Sequence, residues 1–374
     1  MKLVKLKDWF DCNLEYPLII SGPCSAENED QLISTALAIQ KTGKVKILRA
    51  GVWKPRTRPG SFEGAGNIAL QWLKKAKEMT GLLTTVEVTT PEDIEACLKH
   101  GIDILWIGAR STSNPVYVRK LAEALKGVDI PVLIKNPVYP DIDLWVGTIE
   151  RFYNSGIRRL AAVHRGFFPF EKTSLRNIPK WEIPIELKRR IPEIPLICDP
   201  SHIAGHTAFI YEISQKALYL GMDGLMIECH INPKVALSDA KQQLTPDELT
   251  ELLGKLHFTR EDKTIVKPFK DLEMYREQLD SIDLQLIELL AQRMEIVEKI
   301  GVLKSHENLS IFQLRRWQKV IEQNLKVGKK LGLSKDFLLK LISLIHYESI
   351  QRQDEIIKLS GMKNTGTKNE NSEP

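Results

Sequence analysis

The sequence has few of the features that would mark several common protein classes. Its apolar runs all fall short of the roughly 20 residues that cross a bilayer. Its N-terminus, MKLVKLKDWFDCNLEY, lacks the continuous apolar core and cleavage site of a signal peptide. Only five cysteines, widely spread, occur in 374 residues, which argues against a disulfide framework and favours a reducing, cytoplasmic compartment. The net charge of +5 is too small to indicate a nucleic-acid partner, and no membrane partner is expected.

A repeated unit occupies the chain from about residue 17 to residue 230. Each copy is a short run rich in Val, Ile and Leu, followed by a helix-like segment. Such runs are typical of parallel strands that are buried on both faces. Eight of them predict an α/β fold closed as a (β/α)8 TIM barrel. A doubly wound open sheet is the alternative, but no G-x-G-x-x-G motif follows the first run. The runs are PLIISGP, VKILRAG, LLTTVEV, DILWIGA, PVLIKN, RRLAAVH, IPLICDPS and DGLMIECH.

The pattern becomes helical towards the C-terminus. From residue 272 onward apolar residues follow helical spacing for more than eight turns, and two more helices are predicted at about 313–328 and 334–359. The end of the chain is polar, which predicts disorder. The sequence therefore predicts a barrel domain at 1–260, a linker at 261–271, an all-α three-helix domain at 272–358 and a disordered tail at 359–374.

Charged residues follow the predicted strands, whose carboxyl ends meet at one face of a barrel. A cationic set suits phosphate and carboxylate oxygens: Arg49, Lys54, Arg110, Lys135 and Arg165. A second set mixes soft, intermediate and hard ligands, which suits Mn²⁺, Fe²⁺, Co²⁺ or Zn²⁺ better than Mg²⁺: Cys24, His202, Glu228 and Asp239. Taken alone, Cys24 is more often a small buried hydrophobe and His202 a helix cap. Together at one barrel mouth, they favour a metal site.

Six motifs in this region resemble those of type I, beta-like 3-deoxy-D-arabino-heptulosonate 7-phosphate (DAHP) synthases, which open the shikimate pathway to the aromatic amino acids. They are GPCSAE, KPRT, IGAR, IKNP, DPSH and ALSDAKQQL, in order and with compatible spacing. The resemblance implies condensation of phosphoenolpyruvate with D-erythrose 4-phosphate. It places phosphoenolpyruvate on the cationic set, erythrose 4-phosphate on Arg56 and Thr57, and a divalent metal, Mn²⁺ first, on the second set.

The sequence allows two alternatives for the proton donor and two for the sugar substrate. Lys54 is our hypothesis for the donor of a proton to the new alkoxide, and water at the metal is the rival donor. The sister enzymes, 3-deoxy-D-manno-octulosonate 8-phosphate synthases, take arabinose 5-phosphate and carry a KANR-like stretch where this chain has KPRT. The KPRT stretch therefore favours the four-carbon sugar.

Polar residues of the predicted helices form a second candidate site, although a helical stripe is commonly only a dimerisation or regulatory core. Arg293 and Lys304 are 11 residues apart on the first helix, so they fall within roughly 20° of each other. Arg276 lies 17 residues before Arg293, roughly 100° away and about 25 Å along the axis. A second chain would have to bring Arg276 to the same ligand. Arg316 opens the second helix, and Ser349 and Gln353 share one face of the third.

This pattern, over residues 272–357, resembles the all-helical chorismate mutases, intertwined dimers that rearrange chorismate to prephenate. By resemblance, Arg276 of a second chain and Arg293 bind the carboxylates, Lys304 and Gln353 face the ether oxygen, and Arg316 and Ser349 complete the pocket. The chain departs from the family at Gln313, where an aspartate is usual, and at Trp317, where a glutamate normally contacts the substrate hydroxyl. The fusion implies a homodimer through the helical domain, and it suggests prephenate or chorismate as a feedback ligand.

Overall fold

A computed structural model describes residues 1–12, 14, 16–54, 60–170, 173–258 and 270–366 of the chain. The chain divides into two compact units, Met1–Glu261 and Asp262–Pro374, and each is described by itself. Among the described residues, no helix is both long and apolar enough to cross a membrane.

A closed parallel barrel forms the first unit. In the part of the chain that the structure describes, eight strands pair in chain order, and the last pairs back to the first, from Leu18 opposite Gly224 to Gly22 opposite Glu228. Each predicted apolar run contains one strand, so the predicted (β/α)8 fold is confirmed. The strands are β1 Leu18–Gly22, β2 Val45–Arg49, β3 Leu83–Val88, β4 Ile104–Ile107, β5 Val132–Lys135, β6 Leu160–His164, β7 Leu196–Cys198 and β8 Gly224–Glu228.

Helices cover the outside of this barrel, and several of them begin with a side-chain cap. Asn28, Thr90 and Thr245 each accept a hydrogen bond from a backbone N–H of the first turn, which satisfies donors that a helix start leaves unpaired. The helices are α1 Glu29–Gln40, α2 Ile68–Thr80, α3 Pro91–Lys99, α4 Ala109–Thr112, α5 Pro115–Ala124, α6 Ile142–Asn154, α7 Glu182–Arg190, α8 Pro200–Ala204, α9 Ile210–Tyr219 and α10 Pro246–Lys255.

The interior of the barrel is packed with apolar side chains and is closed at its amino end. Ile20, Trp106 and Met226 belong to this inner cluster, and Trp9 of the N-terminal segment packs into the same cluster. The segment is held where the strands begin, because the Arg159 guanidinium donates a hydrogen bond to the Trp9 carbonyl at 2.7 Å. The carboxyl ends of the strands are therefore the end at which a site can form.

Three long helices, counted over the described residues, form the second unit. They are α11 Lys270–His306, α12 Leu314–Lys330 and α13 Lys335–Gly366. At Gly328 a Cβ atom would collide with the Leu338 side chain, so a glycine lets α12 and α13 approach closely. The first residues of the segment predicted as a disordered tail, 359–366, continue α13. No proline interrupts this segment, and the single Gly361 costs a helix only about 1 kcal/mol. Residues 367–374 lie outside the described residues.

Candidate active sites

A cavity of about 300 Å³ opens at the carboxyl end of the barrel. Most of the cationic set and part of the metal set line it, together with Arg176, which the sequence reasoning did not single out. The predicted residues in its wall are Lys54, Arg110, Lys135, Arg165, His202 and Asp239. Arg56 and Thr57, predicted to bind the second substrate, lie outside the described residues.

Three of the four predicted metal ligands come together beside this cavity, and the fourth, His202, lies next to them. Cys24, Glu228 and Asp239 each offer a ligand atom, and the three atoms lie within 4.8 Å of one another. The Cys24 thiol lies 3.4 Å from Asp239 Oδ2. Nε2 of His202 lies 3.8 Å from Glu228 Oε1, while its Nδ1 contacts Asp199 at 2.8 Å.

The chemistry of these ligand atoms fits a divalent transition metal. Glu228 is fully buried, and its Oε1 lies 3.1 Å from an Arg49 nitrogen without hydrogen-bond alignment, so that oxygen can still take a ligand. Burial lowers the pKa of His202, which keeps the imidazole neutral, as metal ligation requires. A thiol, an imidazole and two carboxylates form a donor set for such an ion.

Two buried glutamines hold the carboxylates and the Cys24 backbone in place. Gln242 Nε2 donates a hydrogen bond to Glu228 Oε2 at 2.7 Å and lies 3.4 Å from Asp239 Oδ2. Its Oε1 accepts one from Arg176 at 2.7 Å, and Arg176 also pairs with Asp239 at 3.0 Å. Gln243 Oε1 accepts a hydrogen bond from the Cys24 N–H at 2.9 Å. Both glutamines belong to the ALSDAKQQL motif, so the sequence contained a signal for them. Nothing in the sequence pointed to Arg176.

Arg49 and Lys135 are the buried cations of the barrel mouth, and they differ in their partners. Arg49 is 1% exposed and lies over the Trp106 ring at 5.0 Å, and its Nε and Nη1 atoms have no hydrogen-bond partner among the described residues. Lys135 pairs with Asp199 at 2.8 Å. Burial, reinforced by Arg176 and Arg110, lowers the pKa of Arg165 to about 10. An anion bound beside Arg49 would supply the acceptors that its Nε and Nη1 atoms lack.

Lys54 connects the cationic set with the metal set. Its Nζ lies 3.1 Å from the Cys24 thiol. At Gly51 a Cβ atom would lie 2.8 Å from that Nζ, so a glycine is needed for the lysine to fold back over the site. Lys54 is therefore placed between the expected positions of the anion and the metal.

His164, at the end of β6, is a buried group that these sets do not use. It is fully buried, with its ring centroid 5.7 Å from that of Phe167 and 5.3 Å from that of Trp181. Burial lowers the pKa of His164 to about 3. As pH falls through about 6.5, His164 therefore becomes protonated in the unfolded chain but not in the folded barrel. The stability of the barrel falls over this range as a result.

Acid should therefore destabilise the barrel through His164. Between pH 7.5 and 5.0 this group is expected to remove about 2 kcal/mol of unfolding free energy. In urea unfolding over the same pH interval, the unfolding free energy of His164→Gln should fall by about 2 kcal/mol less than that of the parent. Tryptophan fluorescence reports on the barrel, because six of the seven tryptophans precede residue 262. Equal pH slopes in the two proteins would contradict this prediction.

A second cavity, of about 440 Å³, lies within the helical unit. Five of the six predicted residues line it: Arg293, Lys304, Arg316, Ser349 and Gln353. Arg293 donates a hydrogen bond to the Ser349 hydroxyl at 2.6 Å, and Lys304 donates one to the Ile311 carbonyl at 2.6 Å. Arg276 is not in the cavity wall and pairs with Glu273 at 2.6 Å, one turn away.

The cavity wall also contains His346, which the sequence reasoning missed. His346 lies on α13, three residues before Ser349, and its ring stacks on Trp317 of α12 with centroids 3.9 Å apart and planes 8° apart. Its position one turn from Ser349 was a readable signal, but the stacking partner was not.

Comparison with known proteins decides the family of the barrel. Residues 13–266 match the family model described as the DAHP synthetase I family. The chain belongs to the DAHP synthetase I family. A Phospho-2-dehydro-3-deoxyheptonate aldolase from Thermotoga maritima is 33% identical over 241 residues, which cover 64% of this chain and 69% of the relative. The crystal structure of a protein of that name from the same organism aligns with a TM-score of 0.60 and 32% identity, over 67% of this chain and 71% of that one.

The helical unit matches a second family. Residues 275–354 match the model described as Chorismate mutase type II, so this unit is a chorismate mutase type II domain. A Bifunctional chorismate mutase/prephenate dehydratase from Buchnera aphidicola is 31% identical over 87 residues, 23% of each chain. Members of the DAHP synthetase I family generally depend on a divalent metal, which agrees with the Cys24, Glu228 and Asp239 cluster.

Proposed function

We propose that the barrel condenses phosphoenolpyruvate with D-erythrose 4-phosphate to give DAHP and phosphate, the entry step of the shikimate pathway. One observation carries the proposal. A metal-ligand cluster of Cys24, Glu228 and Asp239 lies beside a set of cations in which the buried Arg49 keeps two nitrogens without a hydrogen-bond partner among the described residues, an arrangement that suits a doubly anionic substrate next to a metal. Membership of the DAHP synthetase I family supports the same reaction.

The residues around the cavity suit the steps of this reaction. Arg49, Lys135 and Arg165, with Lys54 and Arg110, hold the carboxylate and phosphate of phosphoenolpyruvate, which turns an encounter into a positioned reaction. Its C3 attacks the aldehyde carbon, and Lys54 gives a proton to the resulting alkoxide. Water then adds to C2, and phosphate leaves.

A divalent ion held by Cys24, His202, Glu228 and Asp239 would supply Lewis-acid polarisation of the aldehyde oxygen. We propose Mn²⁺ as that ion, with Fe²⁺, Co²⁺ and Zn²⁺ as competitors, because these ions accept a thiol alongside carboxylates. Arg56 and Thr57 are proposed to hold erythrose 4-phosphate because they lie in the KPRT motif.

Assays with and without chelator test this function. Phosphoenolpyruvate consumption should require erythrose 4-phosphate, stop with chelator and return with added Mn²⁺. Arabinose 5-phosphate in place of erythrose 4-phosphate should support little turnover. Faster turnover with arabinose 5-phosphate would establish the octulosonate synthase instead, and full activity in chelator would remove the metal from the proposal.

The helical unit is proposed to rearrange chorismate to prephenate. Its cavity holds three cations, Arg293, Lys304 and Arg316, for a dicarboxylate and for charge on the breaking ether bond. Gln313 and Trp317 replace the aspartate and the glutamate that are usual in the family, so a purely regulatory helix bundle is the second candidate. Prephenate formation from purified chorismate separates the two, because only the mutase turns chorismate over.

A homodimer through the helical unit is proposed from the exposed face of α11. Leu279, Ile282, Leu286 and Leu289 recur at three- and four-residue intervals, and each is between 51% and 60% exposed. A face that is this apolar is typical of an interface. A second copy is the occupant we propose, since it would also bring Arg276 to the cavity.

Regulation and compartment complete the proposal. Chorismate or prephenate bound to the helical unit is proposed to act as a feedback ligand on the barrel, and prephenate added to the synthase assay should change its rate. A cytoplasmic location is proposed because Cys12, Cys24, Cys97, Cys198 and Cys229, all within the described residues, are free.

A further inference from the structure

The charged residues of the mutase cavity do not provide an acceptor for the hydroxyl of the proposed substrate. Arg293, Lys304 and Arg316 can donate hydrogen bonds but cannot accept them. Among the described residues that line the cavity, none is an aspartate or a glutamate. Chorismate and prephenate each carry a ring hydroxyl in addition to two carboxylates. The cations suit the carboxylates but cannot accept a hydrogen bond, so a hydrogen bond donated by the hydroxyl needs a different partner.

His346 is presented to the cavity on the same face of α13 as the proposed substrate-binding residues. Positions 346, 349 and 353 are separated by three and four residues, so His346, Ser349 and Gln353 form one line along the helix. All three line the cavity. A helix that contributes Ser349 and Gln353 to a ligand therefore contributes His346 as well.

The imidazole ring of His346 is held rigidly. It lies parallel to the Trp317 indole at 3.9 Å, and the Phe312 ring packs at an angle with its centroid 6.1 Å away. Trp317 thus forms a support for His346 at the cavity wall. A ring fixed in this way can form a hydrogen bond without first losing rotational freedom.

The state of the ring suits a contact with a hydroxyl. Its Nε2 atom is buried and has no hydrogen-bond partner among the described residues. Burial, followed by the nearby charges of Arg293 and Lys304, lowers the pKa of His346. The imidazole is then neutral, with one nitrogen that donates and one that accepts. A hydroxyl can use either.

We propose that His346 is a further substrate-contacting residue of the mutase cavity, and that its imidazole forms a hydrogen bond with the ring hydroxyl of chorismate and prephenate. The inference rests on the proposed mutase function. It gives Trp317 the separate task of positioning the imidazole.

His346→Phe in the full-length protein tests the contact, because phenylalanine keeps a flat ring on Trp317 but has no nitrogen that could form the hydrogen bond. Loss of one hydrogen bond is expected to raise KM for chorismate about 5- to 10-fold, with kcat within about twofold of the parent. The matched substrate is a chorismate analogue in which hydrogen replaces the ring hydroxyl. With this analogue the parent and the variant should differ by less than about twofold, since neither can make the bond.

Other outcomes separate this inference from the function on which it rests. Equal KM values for chorismate in the two proteins would overturn the contact, and so would a KM difference that persists with the deoxygenated analogue. If the parent binds chorismate without turning it over, the mutase proposal fails. Equilibrium binding of chorismate then decides the contact, which stands if His346→Phe binds at least about fivefold more weakly and falls if the affinities agree. If the parent binds no chorismate, both proposals are overturned.

Discussion

Cys24→Ala is expected to lower kcat/KM of the synthase reaction by at least about 100-fold and to weaken Mn²⁺ binding by at least about 10-fold. The thiol is one of the three clustered ligand groups, 3.4 Å from Asp239 Oδ2 and 3.1 Å from Lys54 Nζ. Its removal takes away the soft ligand and also a contact of the proposed proton donor. Isothermal titration of the apoprotein with Mn²⁺ gives the affinity, and an assay at saturating Mn²⁺ gives the rate.

Cys97→Ala is the matched control for this experiment. Cys97 is another fully buried free cysteine of the same unit, on α3, where it packs into the apolar core and joins no cluster of ligand groups in the part of the chain that the structure describes. Both variants lose one buried sulfur, so both are expected to lose a similar, modest amount of stability. Only Cys24→Ala should lose metal affinity. If the two variants keep equal Mn²⁺ affinity and equal synthase activity, the ligand role of Cys24 is wrong.

The barrel could be predicted from sequence because each of its strands has a local sequence signal. Each strand is a short apolar run, and closure brings the carboxyl ends together wherever those runs lie in the chain. Cys24 and Asp239 therefore meet, although 215 residues separate them. The motifs resembling DAHP synthases then gave the roles of these residues as expectations.

The groups that the sequence reasoning missed depend on contacts between distant segments. Arg176 lies in a loop, and only the folded chain shows that it reaches Asp239 and Gln242. His346 looked like an ordinary helix residue, because stacking on Trp317 joins two different helices. The low pKa of His164 likewise follows from burial, which tertiary packing produces by placing Phe167 and Trp181 beside the ring. Helical periodicity carries no record of such contacts.

Arg276→Ala and Arg293→Ala are each expected to lower kcat/KM of the mutase reaction by at least about 100-fold, since each removes a charged contact to a substrate carboxylate. The synthase activity of the same preparations should stay within about twofold of the parent. Arg293 lines the cavity, whereas Arg276 of the same chain does not. The proposal therefore places the two arginines of one complete site on different chains.

A mixed dimer of the two variants tests this arrangement directly. One of its two sites receives Arg293 from the first chain and Arg276 from the second, so it is complete, while the other site lacks both. Dimers purified through two different tags should then recover about half of the parental mutase activity. A mixed dimer of Arg293→Ala and Lys304→Ala should recover almost none, because both residues line the cavity of their own chain and each site lacks one of them. If Arg276 acted within its own chain, the first mixed dimer would be as inactive as the second. Recovery in one pair and not in the other would therefore establish both the dimer and the chain that supplies each arginine.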